Sequence, residues 1–280
     1  MPTLEMNGLT AHYCDAGSAQ AAVLLHAGGT CGKHWRKVAP LLEDGFRLLV
    51  PDLIGFGETD SWSGDRDLEH DDQADMVRAL IARAGAEPAH LVGHSYGGAT
   101  AVRLALRYPH AVRSLVLIEP VLTPLLREAD DQTLYSESIV HAERFIADAE
   151  AGRDVEAWRY FIDHHNGAGK WDALSDNAKE RFLSLTSQTA AAHKSNMSNP
   201  TRLADIRSLR IPTLVLCGEK TGRVYRQICE MLRQNLADGR YTCIEGAAHM
   251  SPLTHPETVA HAVRTHLTTF GAELRLRDVA

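Results

Sequence analysis

A surplus of positive charge is missing from this chain: Lys and Arg total 29 against 36 Asp and Glu, leaving a net charge of -7. Neutralising phosphates takes clustered cations, so nucleic acid is not an expected partner. Long apolar runs are missing too. None comes near the roughly 20 residues that a bilayer-crossing helix needs, and the opening Met-Pro-Thr-Leu-Glu has no basic stretch leading into an apolar one. The expectation is a cytoplasmic protein with no membrane partner. Cysteine is sparse and unpatterned. Cys14, Cys31, Cys217, Cys229 and Cys243 are odd in number and never spaced as Cys-x-x-Cys, which argues against a disulfide framework or a zinc site. Cys217 and Cys243 fall in apolar runs, where a free thiol serves as a small hydrophobe. The adjacent His164 and His165 would point to different sides of a helix and make a poor metal pair. No metal is expected.

What is present is the make-up of a soluble globular chain: 280 residues, 44% hydrophobic and 23% charged, enough to bury a substantial core. Short β-rich runs alternate with longer amphipathic stretches from Ala21 onward, the mark of a parallel sheet with helices on both faces. The runs are Ala22 to Leu25, Phe46 to Pro51, His90 to Val92, Ser114 to Ile118, Thr213 to Cys217 and Tyr241 to Ile244. Ahead of them, Thr3 to Met6 and Thr10 to Tyr13 flank Asn7-Gly8 and predict an antiparallel hairpin. Strand signals stop between Val121 and about Ile206, where Ser136 to Glu150, Val155 to His164 and Ser175 to Ala191 predict helices. The expected organisation is a core domain of residues 1–120 and 207–280 with a helical cap, residues 121–206, over one edge of the sheet. A final helix is predicted from Pro256 to Phe270.

The strand His90-Leu91-Val92 runs into Gly93-His94-Ser95-Tyr96-Gly97-Gly98 and then into a helix-like stretch. Gly-x-Ser-x-Gly is weak as a pattern alone, and its context gives it weight. A strand-to-helix turn this tight strains the serine and crowds its neighbours, so glycines are required on both sides. The turn lifts the hydroxyl above the sheet and aims a helix N-terminus at any oxyanion formed beside it. Upstream, Val23-Leu24-Leu25 leads into His26-Ala27-Gly28-Gly29-Thr30. Acyl transfer needs two backbone donors on the oxyanion, and the N–H groups of Tyr96 and Gly28 are the expected pair. His249, between the last strand and the last helix, shares the C-terminal edge of the sheet with Ser95 and is the expected base. His26 and His94 are expected to pack or to shape loops.

Taken together and in this order, the Ser95 turn, the His26 loop, Pro51-Asp52-Leu53-Ile54-Gly55-Phe56-Gly57 and the Gly246-Ala247-Ala248-His249 ending resemble the α/β-hydrolase superfamily over residues 9 to 270, least in the cap. The resemblance implies an eight-stranded, mostly parallel α/β sheet, a helical cap inserted after the sixth strand, and no cofactor. The family usually places its acid after the seventh strand, where this chain has Gly218-Glu219-Lys220-Thr221. Thr221 stands where an Asp is expected, and a hydroxyl cannot carry the charge that stabilises an imidazolium. Some relatives use the end of the sixth strand, here Leu117-Ile118-Glu119-Pro120. Glu119 is therefore the expected acid, with Glu219 as the alternative, and Pro120 is expected to keep Glu119 extended.

These residues predict a serine hydrolase cleaving a carboxylic ester or lactone through an acyl-enzyme. A carbon-carbon bond hydrolase of the same fold and a ligand-binding receptor with negligible turnover are the alternatives. The expected partner is a small, partly apolar molecule, with Trp158, Phe161 and Trp171 as candidate substrate contacts. The oligomeric state is left open.

Overall fold

The computed structural model describes residues 2–277, apart from the side chains of Asn166 and of residues 272–277. Its strands are β1 (Thr3–Met6), β2 (Leu9–Ala16), β3 (Ala21–Leu25), β4 (Arg47–Pro51), β5 (Ala89–His94), β6 (Val112–Ile118), β7 (Thr213–Gly218) and β8 (Gly239–Ile244). They form one eight-stranded sheet in the order β1-β2-β4-β3-β5-β6-β7-β8. The expected hairpin is present, since β1 pairs antiparallel with β2 and β2 antiparallel with β4, while every later pair is parallel. The central strands β3, β5 and β7 are buried along their whole length, as strands covered on both faces must be. The edge strand β8 is exposed over all but its last residue.

The helices are α1 (His70–Arg83), α2 (Tyr96–Arg107), α3 (Thr133–Glu150), α4 (Asp154–Asn166), α5 (Asp176–Leu183), α6 (Thr186–Ser198), α7 (Leu203–Ser208), α8 (Arg223–Asn235), α9 (Ser251–Thr254) and α10 (Pro256–Arg277). One apolar cluster lies beneath α1, α2 and α8 and includes Leu25, Leu91, Val102 and Ile228. A second lies between the opposite sheet face and α10, with Leu24, Trp35, Val92 and Val263. Helices α3 to α6 form the insert after β6, and Phe145, Ala157, Trp158, Trp171 and Ala190 give it a small core of its own.

The stretch Ser175 to Ala191, expected as one helix, is two. The chain breaks at Ser184 and Leu185, where the Leu185 N–H turns back to the Phe182 carbonyl and the Thr186 hydroxyl takes up the Leu183 carbonyl. The break lets α6 change direction and cross the loops at the C-terminal edge of the sheet.

Candidate active site

Ser95 sits between β5 and α2 with φ 54° and ψ -115°, a left-handed setting that costs a non-glycine residue energy and persists only where surroundings enforce it. The enforcement is visible. The Ser95 N–H donates to the Ile118 carbonyl at 3.0 Å, and the Ser95 carbonyl accepts from Gly98, Ala99 and Val121. The flanking glycines are sterically obligatory: a Cβ on Gly97 would lie 2.4 Å from the Leu25 carbonyl oxygen, and one on Gly93 would lie 2.4 Å from that of Gly97.

His249 lies on the loop after β8. Its Nε2 accepts from the Ser95 hydroxyl at 3.1 Å, and its Nδ1–H donates to Glu119 Oε2 at 2.7 Å. Glu119 is fully buried. Its carboxylate also accepts the Gly218 N–H at 2.6 Å and the Thr221 hydroxyl at 2.6 Å, so each oxygen is satisfied as a buried charge requires. Thr221 thus occupies the usual acid position and, lacking a charge, orients the carboxylate that arrives from β6. Glu119 is not extended as expected from Pro120: its φ is 42°. The proline bars the right-handed helical region, and with the Glu119 N–H held by the Leu216 carbonyl at 3.1 Å a left-handed turn carries the side chain across β7. Glu219 lies apart from this chain of bonds. Its carboxylate accepts the Gly246 N–H at 2.8 Å and shapes the loop that leads to His249.

Gly28 and Tyr96 are neighbours, a Cβ on Gly28 standing 3.6 Å from Tyr96 Cβ. The Gly97 N–H donates to the His26 carbonyl at 3.1 Å, locking the Gly28 loop to the serine turn. His26 shapes that loop as expected, its Nδ1–H donating to the Ala27 carbonyl and its Nε2 accepting the Leu53 N–H. Burial pushes its pKa down to about 4, keeping it the neutral tautomer that both bonds require. Asp52 accepts the N–H groups of Gly32 and Glu58 and ties two loops together.

Over these loops lies α6. Ala192 meets Gly28, Thr189 faces Gly29, and Gln188 covers Gly55. The Tyr96 hydroxyl meets Ser195, and His70 meets Asn196. Trp158 brings its ring edge to 3.7 Å from where a Gly29 side chain would begin, with its Nε1–H on Thr186. Phe161 stands behind it, against Phe145 and His193. Trp171 packs into the core of the insert, near Phe182. For three residues around His249 the sequence did not signal the part they take here. His34 and Tyr225 each lie a few residues beyond a motif stretch, the Gly28 loop and Gly218 to Thr221, without belonging to it, and His94 showed only a packing role. Tyr225 stacks on the His249 ring at 3.9 Å and 14°, and His94 donates to the His249 carbonyl.

With this geometry stands the kinship. The chain belongs to the α/β-hydrolase fold family, whose sequence model matches residues 22–256. It is 33% identical over 125 residues to a 2-hydroxy-6-oxo-6-phenylhexa-2,4-dienoate hydrolase of Comamonas testosteroni, a match spanning 41% of this chain and 42% of the relative. A match to the pimeloyl-[acyl-carrier protein] methyl ester esterase of Edwardsiella ictaluri is weaker in identity, 29%, but runs over 264 residues and covers 92% and 96% of the two chains. Among solved structures, a meta-cleavage product hydrolase from Pseudomonas fluorescens superposes with a TM-score of 0.71 at 18% identity, over 96% of this chain and 98% of that one. At that identity the likeness is one of fold. No helix among the described residues is long and apolar enough to cross a membrane.

Proposed function

We propose that this protein is a serine hydrolase that attacks a carbonyl carbon, with Ser95 as nucleophile, His249 as base, Glu119 as acid and the N–H groups of Gly28 and Tyr96 as oxyanion donors. The observation that carries the reading is the unbroken chain from Ser95 Oγ through His249 to Glu119, with links of 3.1 and 2.7 Å. His249 Nε2 takes the proton as Ser95 Oγ adds to the carbonyl, and the oxyanion settles on the paired N–H groups. Collapse breaks the bond to the leaving group, which receives the proton from His249. Water, deprotonated by the same imidazole, then releases the acid and restores Ser95.

The relatives favour a carbon leaving group over an oxygen one. In that case the broken bond joins the carbonyl to a carbon whose electron pair is delocalised into a conjugated chain before protonation. The substrate class is a 2-hydroxy-6-oxo-dienoate, with Trp158 as the insert side chain nearest the Gly29 loop and Phe161 and Trp171 backing it from the insert core. A carboxylic ester is the second reading, favoured by the nearly full-length match to a methyl ester esterase. The same triad serves both, because the two reactions differ only in the leaving atom.

Turnover of 2-hydroxy-6-oxo-6-phenylhexa-2,4-dienoate and of chromogenic esters and lactones, together with serine-directed phosphonate labelling of wild type and Ser95→Ala, tests the proposal. The expected result is labelling lost in the variant and a kcat/KM for the dienoate well above that for any ester. Ester turnover without dienoate turnover makes the second reading the right one. Labelling without any turnover points instead to a ligand receptor.

A further inference from the structure

Two buried imidazoles outside the triad form a continuous chain with its base. His94 Nε2 lies 2.8 Å from the His249 carbonyl oxygen, and His94 Nδ1 lies 3.0 Å from His34 Nε2. The rings of His34 and His94 stack at 4.9 Å and 16°, and that of His94 lies 4.8 Å from the His249 ring. A carbonyl only accepts, so the His94 proton must be on Nε2, its Nδ1 is a lone pair, and His34 must donate from Nε2. That order leaves His34 Nδ1 buried without a partner, a cost that asks for a compensating role. Burial pushes His34 down to about 3 and His94 well below the usual histidine value, so both stay in the neutral forms the chain needs. The His249 ring also rests flat against Tyr225.

The three segments so joined are those the reaction uses. His34 lies in the short 3-10 turn Gly32–Trp35 that follows the Gly28 loop, His94 adjoins Ser95, and His249 is on the loop after β8. We infer that His94 and His34 are positioning residues, a two-imidazole strut that fixes the His249 backbone while Tyr225 and His94 hold its ring plane against Ser95 and Glu119. The inference rests on His249 being the base.

The test is the second-order rate of Ser95 labelling by a phosphonate, which needs the base but no particular substrate, read beside kcat and KM on whichever substrate turns over. His94→Phe keeps a ring and removes both hydrogen bonds. It lowers the labelling rate and kcat together, by roughly tenfold to a hundredfold, as displacement of a reacting group by about 1 Å does, with KM little changed. His94→Gln, which retains a donor near the Nε2 position, recovers most of the loss. His34→Phe loses less, and the His34→Phe/His94→Phe double variant is no slower than His94→Phe, because members of one chain do not add. Additive losses, a Gln variant as poor as Phe, or a folded His94→Phe that labels at the wild-type rate each overturn the strut. Where His94→Phe fails to fold, His34→Phe decides: a labelling rate and kcat lowered together with KM little changed support the strut, and wild-type values overturn it. A wild-type protein that no phosphonate labels overturns the base assignment itself, and the strut with it.

Discussion

At Glu119 one carboxylate receives the His249 imidazole, the Thr221 hydroxyl and the Gly218 N–H, so its charge is held while its geometry is set from two neighbouring strands. Removing that charge while keeping the shape, as in Glu119→Gln, is expected to lower kcat by about three to four powers of ten with little change in KM, on the scale of losing a triad acid. Glu219→Gln, which touches only the Gly246 loop, is expected to stay within about tenfold of wild type. Steady-state kinetics of the two variants check the pair, and the opposite ranking would refute the assignment. Thr221 allows a sharper trial. Its hydroxyl meets the same Glu119 oxygen that binds His249, so a carboxylate there is near enough to serve. Glu119→Ala is expected to be nearly inert, and adding Thr221→Asp to recover about tenfold or more, with no recovery counting against Thr221 as a vacated acid position. The candidates Ser95, His249 and Glu119 could be picked out in the sequence because each follows a strand whose position the fold fixes. The work of Thr221 and Tyr225 could not, because it depends on a side chain crossing from β6 over β7, which no spacing along the chain records.

Among the elements, the β5–α2 turn has very little steric freedom. Gly97→Ala would press a methyl into the carbonyl oxygens of both Leu25 and His26, at 2.4 and 2.6 Å. Backbone cannot swing aside as a side chain can. The substitution is expected to destabilise the fold by roughly 2–4 kcal/mol or to prevent folding, whereas Gly152→Ala, at a helix end with nothing within 4 Å but a φ of 72°, is expected to cost only about 1 kcal/mol. Urea denaturation of both variants measures the contrast, and equal midpoints would contradict it. The strands were readable because a buried strand leaves an unbroken apolar run. The break between α5 and α6 was not, since Ser184 and Leu185 carry none of the glycine or proline that punctuates a helix. There the direction of the chain is decided by what α6 meets on the core.

Across the whole molecule, buried histidines set the response to acid. Burial holds His26, His70 and His266 down to about 4, and His34 and His90 down to about 3, against an ordinary value of 6.5. Folded pKa values below unfolded ones mean that the stabilisation is complete above about 6.5 and is lost as the pH falls toward 4 and then 3, because only the unfolded chain takes up those protons. The urea midpoint is therefore expected to fall between pH 7.5 and pH 5.5, a window in which carboxylates of ordinary pKa scarcely titrate. A flat profile there would show that these rings are protonated or exposed in the folded protein. Composition could supply the number of histidines but not their burial, which only the packed structure assigns.

The placement of α6 has a last consequence, for traffic. That helix is fastened to the core through Asn196 on His70, Ser195 on Tyr96, Lys194 on Asp67, and Ala192 and Gln188 on Gly28 and Gly55. A beam bolted at so many points cannot serve as a door. The side-chain bonds of Trp158, Arg159 and Asp163 on α4 stay within the insert, to Thr186, Asp172 and Trp171. On the proposed function, a crosslink between α4 and the core is expected to slow substrate turnover more than the rate of Ser95 labelling by a small phosphonate, and equal effects would show that α4 takes no part in access.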